Sequence, residues 1–395
     1  MVRQARLRAV FMRGGTSKAL MLRAEDLPRE REAWGPIFLA AIGAPDPNGR
    51  QLDGMGGGVS SLSKVCVIGP PTRPDADVDY TFAQIGVATP DVDYASNCGN
   101  MSSAVGPFAV DEGLVPRPAG PEAVVRIHNT NTKKIIVSHF PMDEGFAAVE
   151  GALAIDGVAG TGAPVRLDFL APGGARTGQL LPTLHATDQL TVPDLGPIEA
   201  SLIDAANPCV FVRASDLGAA GTELPDAIEA NATLMARLEA IRRAASVAMG
   251  LAPDAPSAGA IRSVPKVAMV AAPARAPTLS GRVLEPADTD LLVRMISVGQ
   301  PHRAVPLTGA LCLAVACRIP GSIPAALAPA TPARATGADI RLGHPSGTIL
   351  VAAEVTGAGA DLHVPSATVY RTARRLFQGE VLYRLPRAAS LAHAA

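Results

Sequence analysis

A thiol and an amine stand out by their settings. The segment Ser96-Asn97-Cys98-Gly99-Asn100-Met101-Ser102-Ser103 puts Cys98 in a turn beside a glycine. Ala104 to Val110 then read as the apolar face of a helix, with a break at Gly106-Pro107. A helix start carries N–H groups without partners and the positive end of the dipole, so it binds carboxylates and favours a thiolate. Cys98 is therefore the first candidate for chemistry. Its plainer reading is a small buried packing residue. Lys64 is the second candidate, at the start of the apolar run Val65-Cys66-Val67-Ile68. Such a lysine can snorkel to the surface. Held at a cleft edge, where burial disfavours the charged form, a lysine is instead a competent base for carbon acids. Lys64 and Cys98 lie on different elements, so only the fold can bring them together.

Three further segments have the make-up of anion cradles: Arg13-Gly14-Gly15-Thr16-Ser17-Lys18, the glycine cluster Gly54-Met55-Gly56-Gly57-Gly58-Val59-Ser60-Ser61, and His344-Pro345-Ser346-Gly347. Glycines let a backbone approach a ligand closely. None of the three matches a P-loop or a GxGxxG turn, and the alternative for each is a tight turn. The seven histidines form no HExxH and no ligand pair, and His302 and His344 suit hydrogen bonding better than metal. Ser102 and Ser103 lack the GxSxG setting of a hydrolase. The five cysteines show no CxxC spacing, which argues against a zinc site or a disulfide framework and for reduced thiols in a cytoplasmic protein.

The elements that must position these residues are short. With 48% apolar and 18% charged residues, the 395-residue chain can bury a sizeable core in two or three domains. A net charge of -1 gives no field for nucleic acid or a membrane surface, and no apolar run approaches the length of a membrane span. Apolar, β-branched runs predict strands at Leu7–Met12, Ala19–Leu22, Val65–Ile68, Ile135–Val137, Val165–Leu170, Val210–Val212, Val267–Val270 and Ile349–Ala352. Helical spacing is clearest over Ile228–Met249, and Pro36–Ile42 reads as a shorter helix. The Ala- and Pro-rich stretch Ile323–Ala338 reads as a connector. The class is α+β with few βαβ alternations.

An internal repeat organises these parts. Ser63-Lys64-Val65-Cys66-Val67 is echoed by Pro265-Lys266-Val267-Ala268-Met269, and Tyr80 to Gly86 by Leu292 to Gly299. Asn97-Cys98-Gly99 and its helix are echoed by Leu307-Thr308-Gly309 and Ala310 to Ala316. Each half orders a Lys-led strand, a strand ending in glycine, a polar-glycine turn and an apolar helix. The expectation is two similar domains facing each other, 1–186 and 187–395, with the final strand crossing back to the first and two helix starts converging on one cleft.

Together these segments resemble the PrpF family of the diaminopimelate-epimerase-like superfamily, over about residues 8 to 384. The resemblance rests on Met12 to Lys18, Asp53 to Gly57, Ser63-Lys64-Val65, Asp79 to Gln84, Asn97 to Gly106, Pro265-Lys266, His344 to Gly347 and Arg371-Thr372-Ala373-Arg374. It implies two pseudo-symmetric domains, each a barrel-like sheet around a central helix. It also implies cofactor-independent isomerisation of a small unsaturated polycarboxylate: 2-methylaconitate, 4-oxalomesaconate or 3-methylitaconate. The family's catalytic lysine and cysteine map onto Lys64 and Cys98. Substrate carboxylates are expected at Thr16, Ser17, Lys18, Gly99, Asn100, Met101, Lys266, Thr308, Gly309, Ser346 and Gly347. No metal, nucleic acid or membrane partner is implied, and a homodimer is left open. Epimerase relatives carry two facing cysteines; here Thr308 is read as the counterpart of Cys98, which disfavours a two-thiol racemase. The competing readings are an amino-acid epimerase or a non-catalytic carboxylate-binding protein. Leu184 stands where relatives often have glycine.

Overall fold

The computed structural model describes residues 4–94, 97–328 and 338–384. Ser96 and most of the expected connector beyond Ala328 lie outside them. The chain divides into two compact units. The first takes the described residues up to Leu167 and those from Arg371 on, and the second runs from Asp168 to Tyr370.

The first unit begins with β1 (Ala5–Gly14), β2 (Ser17–Arg23) and α1 (Trp34–Ile42), followed by β3 (Lys64–Gly69), β4 (Val78–Ile85), β5 (Val92–Asp93) and α2 (Gly99–Asp111). After α2 come β6 (Glu122–Asn129), β7 (Lys134–Asp143) and β8 (Phe146–Ala147), and β9 (Val165–Leu170) leads into the second unit. Strand pairing runs β1–β2 antiparallel, β2–β3 parallel, β3–β4 antiparallel, β4–β6 parallel and β6–β7 antiparallel. One face of this sheet packs on α1, through Leu20, Leu22, Val65, Val67, Ala83 and Ile85 against Ile37, Phe38 and Ala41. Strand side chains alternate, so Ser17, Lys64, Cys66, Phe82 and Gln84 belong to the opposite face, which curls around α2. Helix α2 touches β1, β2, β3, β6 and β7 and is buried on every side from Met101 to Val110.

The second unit has β10 (Asp188–Val192), β11 (Gly196–Ala205), β12 (Asn207–Arg213), α3 (Pro225–Ala230), α4 (Ala232–Ala248) and α5 (Ala255–Ala260). It continues with β13 (Lys266–Ala271), the short pair β14 (Ala276–Pro277) and β15 (Val283–Leu284), β16 (Leu291–Ser297) and β17 (Gln300–Pro301). Then follow α6 (Leu307–Ala316), α7 (Ile323–Leu327), β18 (Ile340–His344), β19 (Gly347–Thr356) and β20 (His363–Arg371). The pairing repeats that of the first unit: β11–β12 antiparallel, β12–β13 parallel, β13–β16 antiparallel, β16–β18 parallel and β18–β19 antiparallel. Helix α6 takes the place of α2 and is likewise buried, while α4 covers the other face through Leu234, Leu238 and Ile241. Finally β21 (Ala373–Tyr383) returns to the first unit and pairs with β1 from Gly14↔Ala373 to Ala5↔Tyr383.

Several expectations are revised. The unit boundary falls at 167/168 and not at 186/187. The stretch after Leu170 has no strand pattern and is tied to a later strand: buried Asp204 accepts from the N–H groups of Arg176 (2.8 Å) and Thr177 (2.7 Å) and from the Thr177 hydroxyl (2.9 Å). Helix α2 does not break at Gly106-Pro107 but runs to Asp111. Burial holds it together, and β7 passes close at Gly106, where a Cβ would lie 2.7 Å from the Ser138 hydroxyl. The helix expected over Ile228–Met249 is two, divided at Asn231, whose side chain accepts the Leu234 N–H (3.0 Å) and so caps α4. The connector opens with the one-turn helix α7, capped by Ser322. Leu184 has φ 68°, in the left-handed region that glycine favours. Among the described residues no helix is long and apolar enough to cross a membrane, and no group of three or more His, Cys, Asp or Glu could hold a metal ion.

Candidate active site

Parallel pairing of β2 with β3 sets their N-terminal ends side by side, so Ser17 and Lys64 occupy one end of the α2-facing surface. Gln84 is the register partner of Lys64 on β4 and reaches the same end. Cys98 is the N-cap of α2, and its carbonyl accepts the Ser102 N–H at 3.0 Å. The Cys98 side chain makes no cap hydrogen bond; its thiol lies 3.9 Å from the Ser17 hydroxyl. Lys64 is 6% exposed, donates to the Gln84 Oε1 and lies 5.1 Å from the centre of the Phe82 ring. Burial pushes the neighbouring Cys66 thiol up, a charge on Cys98 adds to this, and the Tyr80 hydroxyl and the Lys64 charge oppose it. One buried thiol thus feels both Cys98 and Lys64, which places the two candidates in a single electrostatic neighbourhood.

The β1–β2 hairpin closes over the start of α2. Gly15 has φ 51°, and a Cβ on it would collide with the Asn100 side chain; one on Gly14 would lie 2.7 Å from the Asn100 carbonyl. Asn100 donates from Nδ2 to the Thr16 hydroxyl (3.1 Å) and accepts at Oδ1 from the Arg371 Nε (3.0 Å). Its side chain is therefore occupied in joining hairpin, helix and Arg371, the residue at which the chain re-enters the first unit. What Gly99, Asn100 and Met101 can offer a ligand is their first-turn N–H groups, which have no acceptor inside the helix. Lys18 does not join this set. Alternation turns it to the α1 face, where its ammonium lies 5.6 Å from the Phe11 ring. The glycine cluster 54–58 is no cradle either: it packs on the end of α1, and a Cβ on Gly54 would strike the Gly43 backbone.

The second unit builds a comparable end. Lys266 opens β13, beside Cys209 of β12. Burial lowers its pKa, with Cys209 opposing weakly. Gly309 in the first turn of α6 packs on Met295, whose sulfur a Cβ there would strike, with the Lys266 Cδ 3.7 Å from that Cβ position. Ser297 and the His302 Nε2 share a hydrogen bond of 2.6 Å, and burial, then the Lys266 charge, push His302 down to about 4. The N-cap of α6 is Pro306, whose carbonyl accepts the Ala310 N–H at 2.8 Å. Counted from the helix start, Pro306 and not Thr308 corresponds to Cys98; Thr308 is the second residue of the helix. Pro345 and Ser346 form the two-residue loop between β18 and β19, leading into Gly347. The Ser346 hydroxyl donates to the Arg303 carbonyl (2.7 Å), tying the turn to the segment before α6, and its N–H donates to the His344 Nδ1 (3.2 Å) within the turn, so both its donors are engaged.

Sequence reasoning missed Gln84, Phe82, Tyr80 and Arg371 as parts of the first-unit site. All four stood inside segments already singled out; only the strand register shows which of their side chains face α2. Arg371 is buried, which lowers its pKa to about 10.

A doubled barrel-like sheet, each copy wrapped on a buried helix, is the fold of the racemase and epimerase class. A hydroxyproline epimerase from Agrobacterium vitis matches it over 98% of this chain and 95% of that one, with a TM-score of 0.52 at 14% identity. A much nearer likeness is the crystal structure of a methylitaconate Δ-isomerase: TM-score 0.88, 39% identity, 98% of each chain. In sequence the chain is 41% identical to 3-methylitaconate isomerase of Eubacterium barkeri, over 96% of this chain and 97% of that protein. It is 39% identical to 2-methyl-aconitate isomerase of Cupriavidus necator, over 96% and 98%. The family model for the PrpF protein matches residues 4–384. The chain belongs to the PrpF family, and it is an isomerase.

Proposed function

We propose that the protein isomerises a small unsaturated di- or tricarboxylate by moving a double bond, with Lys64 as base and Cys98 as its partner at the start of α2. A proton on the carbon next to a conjugated carboxylate system is weakly acidic, and its removal leaves a dienolate whose charge spreads onto carboxylate oxygens. Lys64 takes that proton. A proton returned from Lys64 itself, or from Cys98, at the other end of the allyl system completes a 1,3-shift in which the substrate gains and loses no atom; in the Cys98 case a proton passing from the Lys64 ammonium to the Cys98 thiolate, directly or through solvent, resets the pair. Rotation within the dienolate before reprotonation gives the cis/trans outcome instead. The N–H groups of Gly99, Asn100 and Met101 and the Ser17 hydroxyl receive the carboxylate, where the helix dipole favours its charge. The observation that carries this reading is the shared end of one sheet face: Lys64 on β3, Ser17 on β2 and Cys98 at the cap of α2. It needs no residue beyond the first unit and no cofactor.

The names of the relatives make methylitaconate and methylaconitate the first substrates to try. A two-thiol racemase is the weaker reading. It needs a second thiol at a helix N-cap, and the N-cap of α6 is Pro306, while Cys209, Cys312 and Cys317 are buried. The test is an NMR screen of methylitaconate, methylaconitate, oxalomesaconate and aconitate isomers in deuterated water. The expected outcome is exchange of an allylic carbon proton together with conversion to the isomer. A Lys64→Ala variant with full turnover would sink the mechanism, and binding of all four without exchange would sink the reading as an enzyme of this substrate class.

A further inference from the structure

We propose that Gln84 is the positioning residue for Lys64: its side-chain amide, fixed from behind by the backbone of the 60–63 segment, aims the amine of Lys64 at the substrate. The inference rests on the reading of Lys64 as base and adds what holds that base in place.

The amide of Gln84 has only one workable orientation. Its Nε2 donates to the carbonyls of Ser60 and Ser63, each at 3.0 Å, which leaves Oε1 as the acceptor for Lys64. The segment that carries those carbonyls is tied down in turn. The Ser63 hydroxyl donates to the Gln51 Oε1 at 2.6 Å, the Gly58 N–H donates to the same oxygen at 2.9 Å, and the Gln51 N–H donates to the Asp46 carboxylate at 2.5 Å. A relay of amides and one hydroxyl thus runs from the loop after α1 to the candidate base. This gives the glycine-rich segment a role that anion binding does not: it is the scaffold behind Gln84.

The chemistry favours an amide at this place. A neutral amine has one lone pair and two N–H bonds, so tying one N–H to a fixed oxygen restricts where the lone pair can point. A carbonyl oxygen accepts from the amine and, more strongly, from the ammonium that proton abstraction creates, so Lys64 keeps its place through the cycle. The Phe82 ring, 5.1 Å from Nζ, favours the ammonium once formed. A carboxylate in place of the amide would hold Lys64 as the ammonium. Titratable groups on this face include Cys66 on the same strand, Tyr80 on β4, Asp93 on β5 as the register partner of Gln84, and Cys98 on α2, with the Ser17 hydroxyl on β2.

The test uses the full-length protein with Gln84→Glu, Gln84→Met and Lys64→Ala. Trace acetylation of Lys64 by acetic anhydride across a pH series, read by mass spectrometry of its peptide, follows the amine without any substrate. Gln84→Glu keeps size and an acceptor oxygen and is expected to raise the midpoint of Lys64 labelling by about one pH unit or more. With methylitaconate as probe, Gln84→Met is expected to lower kcat about tenfold or more while KM stays within about threefold, the signature of a misdirected base rather than lost binding. A Gln84→Glu midpoint that does not move, or a Gln84→Met enzyme with kcat within about twofold of the parent, overturns the proposal. If Gln84→Met does not fold, or methylitaconate is not turned over, the labelling of Gln84→Glu decides alone. Full turnover by Lys64→Ala instead overturns the reading of Lys64 as base, whatever the Gln84 variants do.

Discussion

Cys98 occupies a helix cap without using its side chain as one, and this separates its chemical role from its structural one. Serine is a better N-cap than cysteine, so Cys98→Ser should leave the start of α2 as stable as before or firmer by about 0.5–1 kcal/mol. A hydroxyl is a far weaker acid–base partner at neutral pH, so turnover should fall about 100-fold or more. Thermal melts and kcat measured on the same preparation check both halves. Turnover kept within about threefold would make Cys98 a group that only places the substrate. Leu184 gives a prediction of a different kind. It is 78% exposed at φ 68°, where a side chain strains the backbone and contributes little packing. Leu184→Gly should therefore stabilise the protein by about 0.5–1 kcal/mol in urea unfolding, and a loss of stability would contradict the strain. At this scale the sequence supplied residue types and left their directions open. Lys64 and Cys98 could be picked out because an amine opening an apolar strand and a thiol before a glycine are unusual. Lys18 could not be excluded, nor Gln84 included, because facing is set by register, and one position along a strand reverses it.

Apolar runs with β-branched residues produced strands at all eight expected places, since a pleated surface buried on one or both faces favours that pattern. Helix ends were less legible. Pro107 sits inside α2 because tertiary burial outweighs local propensity there, whereas Asn231 divides a pattern that apolar spacing alone runs together. The second unit shows what an element can do to a titration. Strand β16 and the turn after it hold His302 against Ser297 in a setting that burial and Lys266 keep neutral down to about pH 4. In the unfolded chain a histidine takes up its proton near its ordinary value of 6.5. Between those values the unfolded state binds more protons, so stability is full above about pH 6.5 and falls as the pH drops toward 4. The loss from this one residue is on the order of 2–3 kcal/mol. Urea midpoints near pH 7 and near pH 4.5 should differ less in His302→Gln, which keeps a partner for Ser297 but cannot titrate. An unchanged difference would mean that other groups carry the acid sensitivity.

The repeat in the sequence predicted two units, and the strand pairings agree step for step, yet the boundary read from the sequence missed by some twenty positions. A repeat fixes the order of elements, while the membership of a loop is set by the hydrogen bonds it finds, here those of Asp204. The first unit is also discontinuous, and this has a consequence for the site. Strand β1 is the outer rail of the hairpin that sets Gly14, Gly15 and Ser17 against α2, and its own outer edge is covered along its length by β21. Arg375 of β21 further pairs with Glu112, just past the end of α2, at 2.8 Å, and Arg8 of β1 meets the same carboxylate at 2.8 Å. A chain ended after Thr372 removes that cover, exposes half of the β1 amides and loosens the hairpin over the start of α2. Hydrogen exchange should then show lost protection along β1 and β2 with protection kept in β12, β13 and β16, and turnover should fall with it although neither Lys64 nor Cys98 has been touched. Equal loss of protection in both units would show instead that they unfold as one body. Unchanged exchange in β1 would show that β2 alone holds the hairpin, and that β21 has no part in shaping the site.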